Sequence, residues 1–352
     1  MPVVQQIARS ATKDGVTLQG LIHHLAQREF AAINTNTANA FDWHHWHVTS
    51  VTGGLNNRVF RAQEHKSGQD MAIKFYIRDA RDRAGREFAA LHRLQQNGLD
   101  IAPQPLLLGR FATDQHLAPV VVQTWLAGTV SAIPPDTDAE WQRLLDHLRV
   151  VHGIKQRAEW AIAPVVLTMT NAHDGLREID AQVARLPAEA RPVALTELQA
   201  LAHARIWPTW SPPKLCLCRG DTNTSNFVRR PTGWASIDWE YAGWGDPAFE
   251  LGDLMSMPPY QDVDGVRWEW VLHHYTADLV DPTFALRVQA YRLLMLIWWV
   301  ARLARWLYEV PRQLDRRLAQ QSGASMPYTQ QQQAAKMENY VRRAQSALAE
   351  PY

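Results

Sequence analysis

The sequence predicts an α+β fold of two lobes: a small β-rich N-terminal lobe over residues 1–125 and a larger helical C-terminal lobe over 126–352. Three features carry that expectation. Alternating apolar and polar positions, the mark of half-buried strands, dominate between about Val48 and Thr124, with one helical segment among them. Beyond Gly128 the apolar positions recur every three or four residues, as in helices. Leu215–Leu254 then interrupts the helical half with a short apolar strand, a polar loop, two more short strands and a second polar loop. Strands followed by helices segregate into the layers of an α+β protein.

Leu18, Leu21, Ile22, Leu25 and Ala26 place one face of a helix over Leu18–Ala32, and the Asn- and Thr-rich Ile33–Ala40 reads as a loop. Trp43-His44-His45-Trp46-His47 reads as a strand or its lead-in, since no further zinc-ligand pattern lies nearby. Val48–Val51 and Arg58–Gln63 form a hairpin around Thr52–Asn57, whose glycines Gly53 and Gly54 would let the backbone approach an anion closely. Met71–Tyr76 is a strand with Lys74 embedded in it, and a lysine there needs a charge partner. Glu87 is the candidate, on a helix over Asp82–Gln96 whose Phe88, Leu91 and Leu94 share a face. Gly98 ends that helix, and strands follow at Leu106–Gly109 and Pro119–Thr124.

Trp125–Gly128 reads as the link between lobes. Asp136 or Thr137 caps a helix to about Val151, closed by His152. Helices are expected at Asn171–Val183 and Ala194–Arg205, and the Pro-rich Trp207–Pro213 leads into the central stretch. Asp246-Pro247 starts another helix, a cap residue followed by proline at the first helical position. Phe284–Tyr308 is a long amphipathic helix, Met326–Gln333 a polar loop or helix lead-in, and Tyr340 lies on a last, mostly polar helix.

The formal net charge of +1 supplies no basic stripe for nucleic acid. Cys216 and Cys218 alternate on one strand; neither their number nor their spacing suggests a disulfide framework or a metal site, and a reducing cytoplasm fits. No charged-then-apolar leader opens the chain, and the longest apolar run, Leu293–Val300, is too short to span a bilayer. A soluble protein is expected.

The chemistry concentrates in the central stretch. Asp221 and Asn226 share one polar loop, and Asp238 follows the strand after it. A carboxylate that can take a hydroxyl proton, together with an amide and a second carboxylate able to hold magnesium, is what phosphoryl transfer needs. R-G-D-x-x-x-x-N over Arg219–Asn226, followed by I-D-W-E-Y-A-G over Ile237–Gly243, resembles the aminoglycoside phosphotransferase and choline kinase superfamily. The string D-W-E-Y-A-G-x-G-D is closest in motif to the choline and thiamine kinase branch, and the likeness extends over roughly residues 48–310. Arg219 stands where that family has a histidine that braces the loop without reacting.

This resemblance implies a bilobal protein-kinase-like fold and an ATP- and Mg²⁺-dependent phosphotransferase. Asp221 would be the catalytic base, with Asn226 and Asp238 as metal ligands. Gly53, Gly54, Asn56, Asn57 and Lys74, the last paired with Glu87, would hold the triphosphate. Gln123 and Trp125 would flank the nucleotide at the hinge, where no side chain specifies adenine. Glu240, with Asp246, Glu250 and Asp253, makes an acidic neighbourhood that suits a small cationic alcohol: choline, ethanolamine or thiamine first, an aminoglycoside second. Trp299 and Trp306 are candidate walls of a cation cage, although tryptophans at helical spacing also make a core. A nucleotide-binding module without transfer is the other reading, favoured by Arg219 alone. A protein kinase is the weakest reading, given the lack of H-R-D and D-F-G and the brevity of Asn226–Asp246.

Overall fold

The computed structural model describes residues 40–43, 45–51, 57–112, 117–157, 160, 162–277, 279–314 and 328–350. The helix expected at Leu18–Ala32 and the turn residues Gly53, Gly54 and Asn56 lie outside the described residues. The chain divides into two compact units, one of Met1–Val130 with Asn226–Ala242, the other of Ser131–Ser225 with Gly243–Tyr352. The division thus falls after Val130, not after residue 125. It also assigns the middle of the β insertion, Asn226–Ala242, to the N-terminal unit.

The first unit is built on an antiparallel sheet of order β1-β2-β3-β4-β6-β5, with β1 at Ala40–Trp43, β2 at Trp46–Val51, β3 at Asn57–Glu64, β4 at Asp70–Tyr76, β5 at Pro105–Ala112 and β6 at Leu117–Thr124. Alternation decides what each face holds. Met71, Ile73 and Phe75 of β4 join Val48, Phe60, Ala62, Val120 and Val122 in one apolar cluster. The intervening Ala72, Lys74 and Tyr76 therefore project from the opposite face, where Tyr76 and Val121 pack with Ala84 and Phe88 of α1 (Arg83–Gln96). Lys74 stands opposite Val59 of β3 and Val121 of β6, in the middle of the sheet.

Asn226–Ala242 is stitched to this unit by backbone hydrogen bonds. The hairpin of β9 (Phe227–Arg230) and β10 (Gly233–Ser236) pairs through β9 with β7 (Thr129–Val130), and Ser236 N–H donates to the Ile101 carbonyl at 2.8 Å. Gly128 enters β7 at φ 149°, and a Cβ there would lie 2.4 Å from Val228 and 2.8 Å from the Arg229 carbonyl oxygen. Only glycine suits both the backbone angle and that approach.

The second unit is helical: α2 at Asp138–His152, α3 at Ala172–Val183, α4 at Val193–Ala204, α5 at Pro247–Ser256, α6 at Gly265–Thr276, α7 at Phe284–Glu309 and α8 at Gln330–Ala349. A two-stranded antiparallel ribbon of β8 (Cys216–Cys218) and β11 (Gly243–Gly245) lies among them. Thr137, one of the two cap residues expected, caps α2 through its side chain, and Asn171 does the same for α3. Every residue of α5 from Ala248 to Ser256 is buried, so α5 is the central helix of this unit, packed on α7. By length and composition α7 is a candidate membrane span, contrary to the expectation drawn from its apolar run alone; 67% of its most apolar window is buried, as in a core helix.

Asp246 fastens α5 to α7. Its carboxylate caps α5 at the Ala248 N–H (3.0 Å) and accepts from Arg287 at 2.9 and 3.1 Å and from the Tyr291 hydroxyl at 3.1 Å. Arg287 is itself buried, and without Asp246 it keeps only the partly exposed Asp281, 2.9 Å away, as its acid partner. Asp246→Ala is expected to lower stability in urea unfolding by about 3–5 kcal/mol, and Asp246→Asn, which keeps the cap, by less. A loss below about 1 kcal/mol for the alanine variant would show that the network does not hold these helices together.

Candidate active site

In the first unit, the face of β4 opposite the apolar cluster carries a charge cluster. Lys74 Nζ donates to Glu87 Oε2 at 2.8 Å and to Asp238 Oδ1, and lies 5.0 Å from the centroid of the Tyr76 ring. Burial by itself would strip the proton from Lys74, but the carboxylates of Asp238, Glu87 and Glu240 outweigh it and hold the ammonium form. Glu87 is fully buried, and its pKa is raised by desolvation, with Lys74 pulling the other way. Asp238 is the accessible member, its side chain 34% exposed against 7% for Lys74. It sits at φ 63°, a left-handed conformation unusual for a non-glycine residue.

Asp238 and Asn226 are neighbours across the open end of the hairpin. β9 and β10 run in register from Gly233–Arg230 to Ser236–Phe227, and Ile237 N–H then donates to the Asn226 carbonyl at 2.9 Å. Ladder pairing thus brings together the two residues expected to hold metal. Their amide and carboxylate oxygens are the hard donors that magnesium takes, so the donor set fits the ion.

Glu240 is placed differently from the expectation. Its carboxylate is buried, accepting from Asn57 Nδ2 at 2.6 Å and from Arg83 Nη1. It ties Asn57, at the start of β3, to the first turn of α1 and does not stand open as a substrate contact. Desolvation, then Asp238, push its pKa up to about 7. Arg83 is the functional neighbour that sequence reading missed; only its position opening the Glu87 helix hinted at it. Gln123, buried on β6, has a carboxamide oxygen with no hydrogen-bond partner among the described residues, while Trp125 carries the Arg61 guanidinium 4.6 Å from its ring centroid.

In the second unit, β8 delivers Arg219-Gly220-Asp221 into a loop held from below. Glu250 of α5 accepts the backbone N–H groups of Arg219 (2.6 Å) and Gly220 (2.8 Å) with one oxygen and His152 Nε2 (2.6 Å) with the other. Burial opposes the charge on Glu250, yet the His152 hydrogen bond leads the effects that keep its pKa below the usual carboxylate value. Gly220 turns the chain at φ 72°. Arg219 is fully buried and its Nη2 donates to the Asp221 carbonyl at 3.1 Å, so it braces the loop from the position of the expected histidine. Asp221 Oδ1 accepts the Asn223 N–H at 3.0 Å, and Thr222 Oγ1 donates to Asp253 at 3.4 Å. Burial, then the proximity of Asp221 and Glu250, push the pKa of Asp253 well above the usual carboxylate value. The acidic neighbourhood thus resolves into a helix fastener (Asp246), a loop clamp (Glu250) and a buried carboxyl that accepts from Thr222 (Asp253).

A family model described as "Phosphotransferase enzyme family" matches residues 47–271, which include both charge clusters. The chain belongs to the phosphotransferase enzyme family. It is 30% identical over 214 residues to the thiamine kinase of Escherichia coli, an alignment taking in 58% of this chain and 64% of that protein. The chain thus spans less than two thirds of the length of the curated relatives it matches. Its fold is similar to that of a choline/ethanolamine kinase family protein from Mesorhizobium loti (TM-score 0.57, 18% identity, 94% of this chain and 95% of that one). It is also similar to that of a microcompartment-associated aminopropanol kinase (TM-score 0.59, 13% identity, 93% and 98%). At these identities the likeness is one of fold, and the fold is the α+β, kinase-like one that the sequence predicts.

The tryptophans expected to wall a cation cage are packed. One face of Trp299 stacks on Tyr340 of α8 at 5.8 Å and its edge meets Trp298 at 5.3 Å, while Trp306 is buried. Trp299 packs α7 on α8, and a Trp stripe at helical spacing gives no warning of which role it plays.

A buried ion pair costs more when halved than when removed whole. Glu87→Leu or Lys74→Met alone is expected to lower unfolding stability by about 3–5 kcal/mol, and the double variant by clearly less than their sum. Strict additivity in a double-mutant cycle would show that the two side chains do not compensate each other.

Proposed function

We propose that this phosphotransferase moves the γ-phosphate of ATP to the hydroxyl of a small cationic alcohol, with thiamine as the first candidate and choline or ethanolamine next. The observation that carries the reading is the juxtaposition of Lys74, Glu87 and Asp238, with Asn226 beside Asp238. A buried ammonium held by one buried and one accessible carboxylate is suited to neutralising phosphate oxygens. The thiamine kinase relatives support the choice of acceptor, and the family supports ATP as donor.

In this reading Asp221 is the base. Its carboxylate orients the acceptor hydroxyl and takes its proton as the new oxygen–phosphorus bond forms and the bond to the ADP oxygen breaks. A divalent ion, which Asn226 and Asp238 would hold, supplies charge neutralisation on the phosphates when bound. Lys74 and the backbone of residues 53–57 hold the triphosphate, and Glu87 keeps Lys74 in place. Glu250 and Arg219 fix the backbone that presents Asp221, so they act on the base by position. That bracing role for Arg219 supports transfer over mere nucleotide binding. A soluble, cytoplasmic setting fits the burial of α7.

The test is a panel of thiamine, choline, ethanolamine and aminoglycosides with radiolabelled ATP and Mg²⁺, scored for phosphorylated product. Asp221→Asn is expected to lower kcat on the best acceptor by about 10²- to 10⁴-fold with the fold intact by circular dichroism. Near-normal turnover would remove Asp221 from the role of base. ATP·Mg²⁺ raising the melting temperature with no product from any acceptor would favour the binding module.

A further inference from the structure

The two cysteines stand apart from the chemistry above, and the fold gives them a third companion. Among the described residues, His152, Cys216 and Cys218 form a buried group whose ligand atoms all lie within 4.8 Å of one another. We propose that these three side chains are a zinc site beneath the loop that carries Asp221.

The geometry is close to what the ion asks. Cys216 Sγ and Cys218 Sγ are 3.8 Å apart on one face of β8. Two thiolates at about 2.3 Å from a tetrahedral zinc are separated by about 3.8 Å. The imidazole, within 4.8 Å of the sulfurs, needs to approach them by up to about 1.3 Å to complete three ligands. Both ring nitrogens have partners, Nε2 on Glu250 at 2.6 Å and Nδ1 on the Tyr275 hydroxyl at 2.5 Å, and keeping the carboxylate contact assigns Nδ1 to the ion. A carboxylate on the far nitrogen is the arrangement that orients zinc-bound histidines. Nδ1 now meets the Tyr275 hydroxyl, the group that the ion would displace or take as its fourth donor.

Charge is also consistent. Two thiols give up their protons as the ion enters, and a dication with two thiolates is neutral, so the buried site gains no net charge. Lys155 is the cation facing the group; its ammonium is turned to the His152 carbonyl at 2.6 Å. The site could bind its ion as the chain folds, since the ligands come from α2 and from a strand 64 residues later (216 − 152). Cys218 directly precedes Arg219, so a bound ion would pin the strand that feeds the Glu250 clamp. This inference does not depend on the acceptor or on the reaction proposed above.

The experiment uses the full-length chain, free of any affinity tag, expressed with zinc in the medium and purified without chelator. Elemental analysis should find about one zinc per chain, and below about a tenth in Cys216→Ala/Cys218→Ala. Chelator-treated wild-type protein given Co²⁺ should show the thiolate-to-cobalt charge-transfer absorption in the near ultraviolet. That readout needs no variant to fold. Wild-type protein that carries no zinc and shows no such band, or zinc that is retained undiminished in the double variant, overturns the proposal.

Discussion

One buried positive charge governs the N-terminal unit. Lys74 sits mid-sheet, on a strand where every other side chain from Met71 to Tyr76 is buried too, and it keeps its proton only because carboxylates surround it. Each partner comes from a different part of the chain: Glu87 from α1, Asp238 from the hairpin beyond β10. Around them the next layer closes, with Glu240 drawn in by Asn57 and Arg83. The position of α1, the end of the turn and the attachment of the hairpin all follow from the need to balance that ammonium in a desolvated place.

The helical unit solves a different problem, that of holding a loop which has no ladder of its own. Glu250 does so from the central helix by taking two consecutive backbone N–H groups, and His152 holds Glu250 in turn. Arg219 braces the loop from within, a permanently charged side chain reaching the carbonyl of the residue two ahead.

The strands and helices were legible because period two and period 3.6 are written in the side chains, and the caps at Thr137, Asn171 and Asp246 are local signals. The pairing of Lys74 with Glu87 was legible for a similar reason, since a lysine inside an apolar strand must have a partner. What could not be read was long-range allocation. Glu240 looks like a pocket acid until Arg83, 157 residues away, is placed beside it. Glu250 looks like a helix-terminal acid until the loop 30 residues upstream is placed over it. Trp299 and Trp306 lie on a helix face whose cover, Tyr340 in the case of Trp299, comes from a helix with no apolar pattern strong enough to announce it.

The hairpin's membership in the first unit has a consequence for biosynthesis. The ribosome releases Lys74 and Glu87 almost together, but Asp238 follows 164 residues after the lysine. At a usual elongation speed that interval is about ten to thirty seconds. Throughout it the nascent sheet carries its lysine with one counter-charge in place of two, and strand β7 with no neighbour to pair with. The first half of this polypeptide must wait for the second before it is finished.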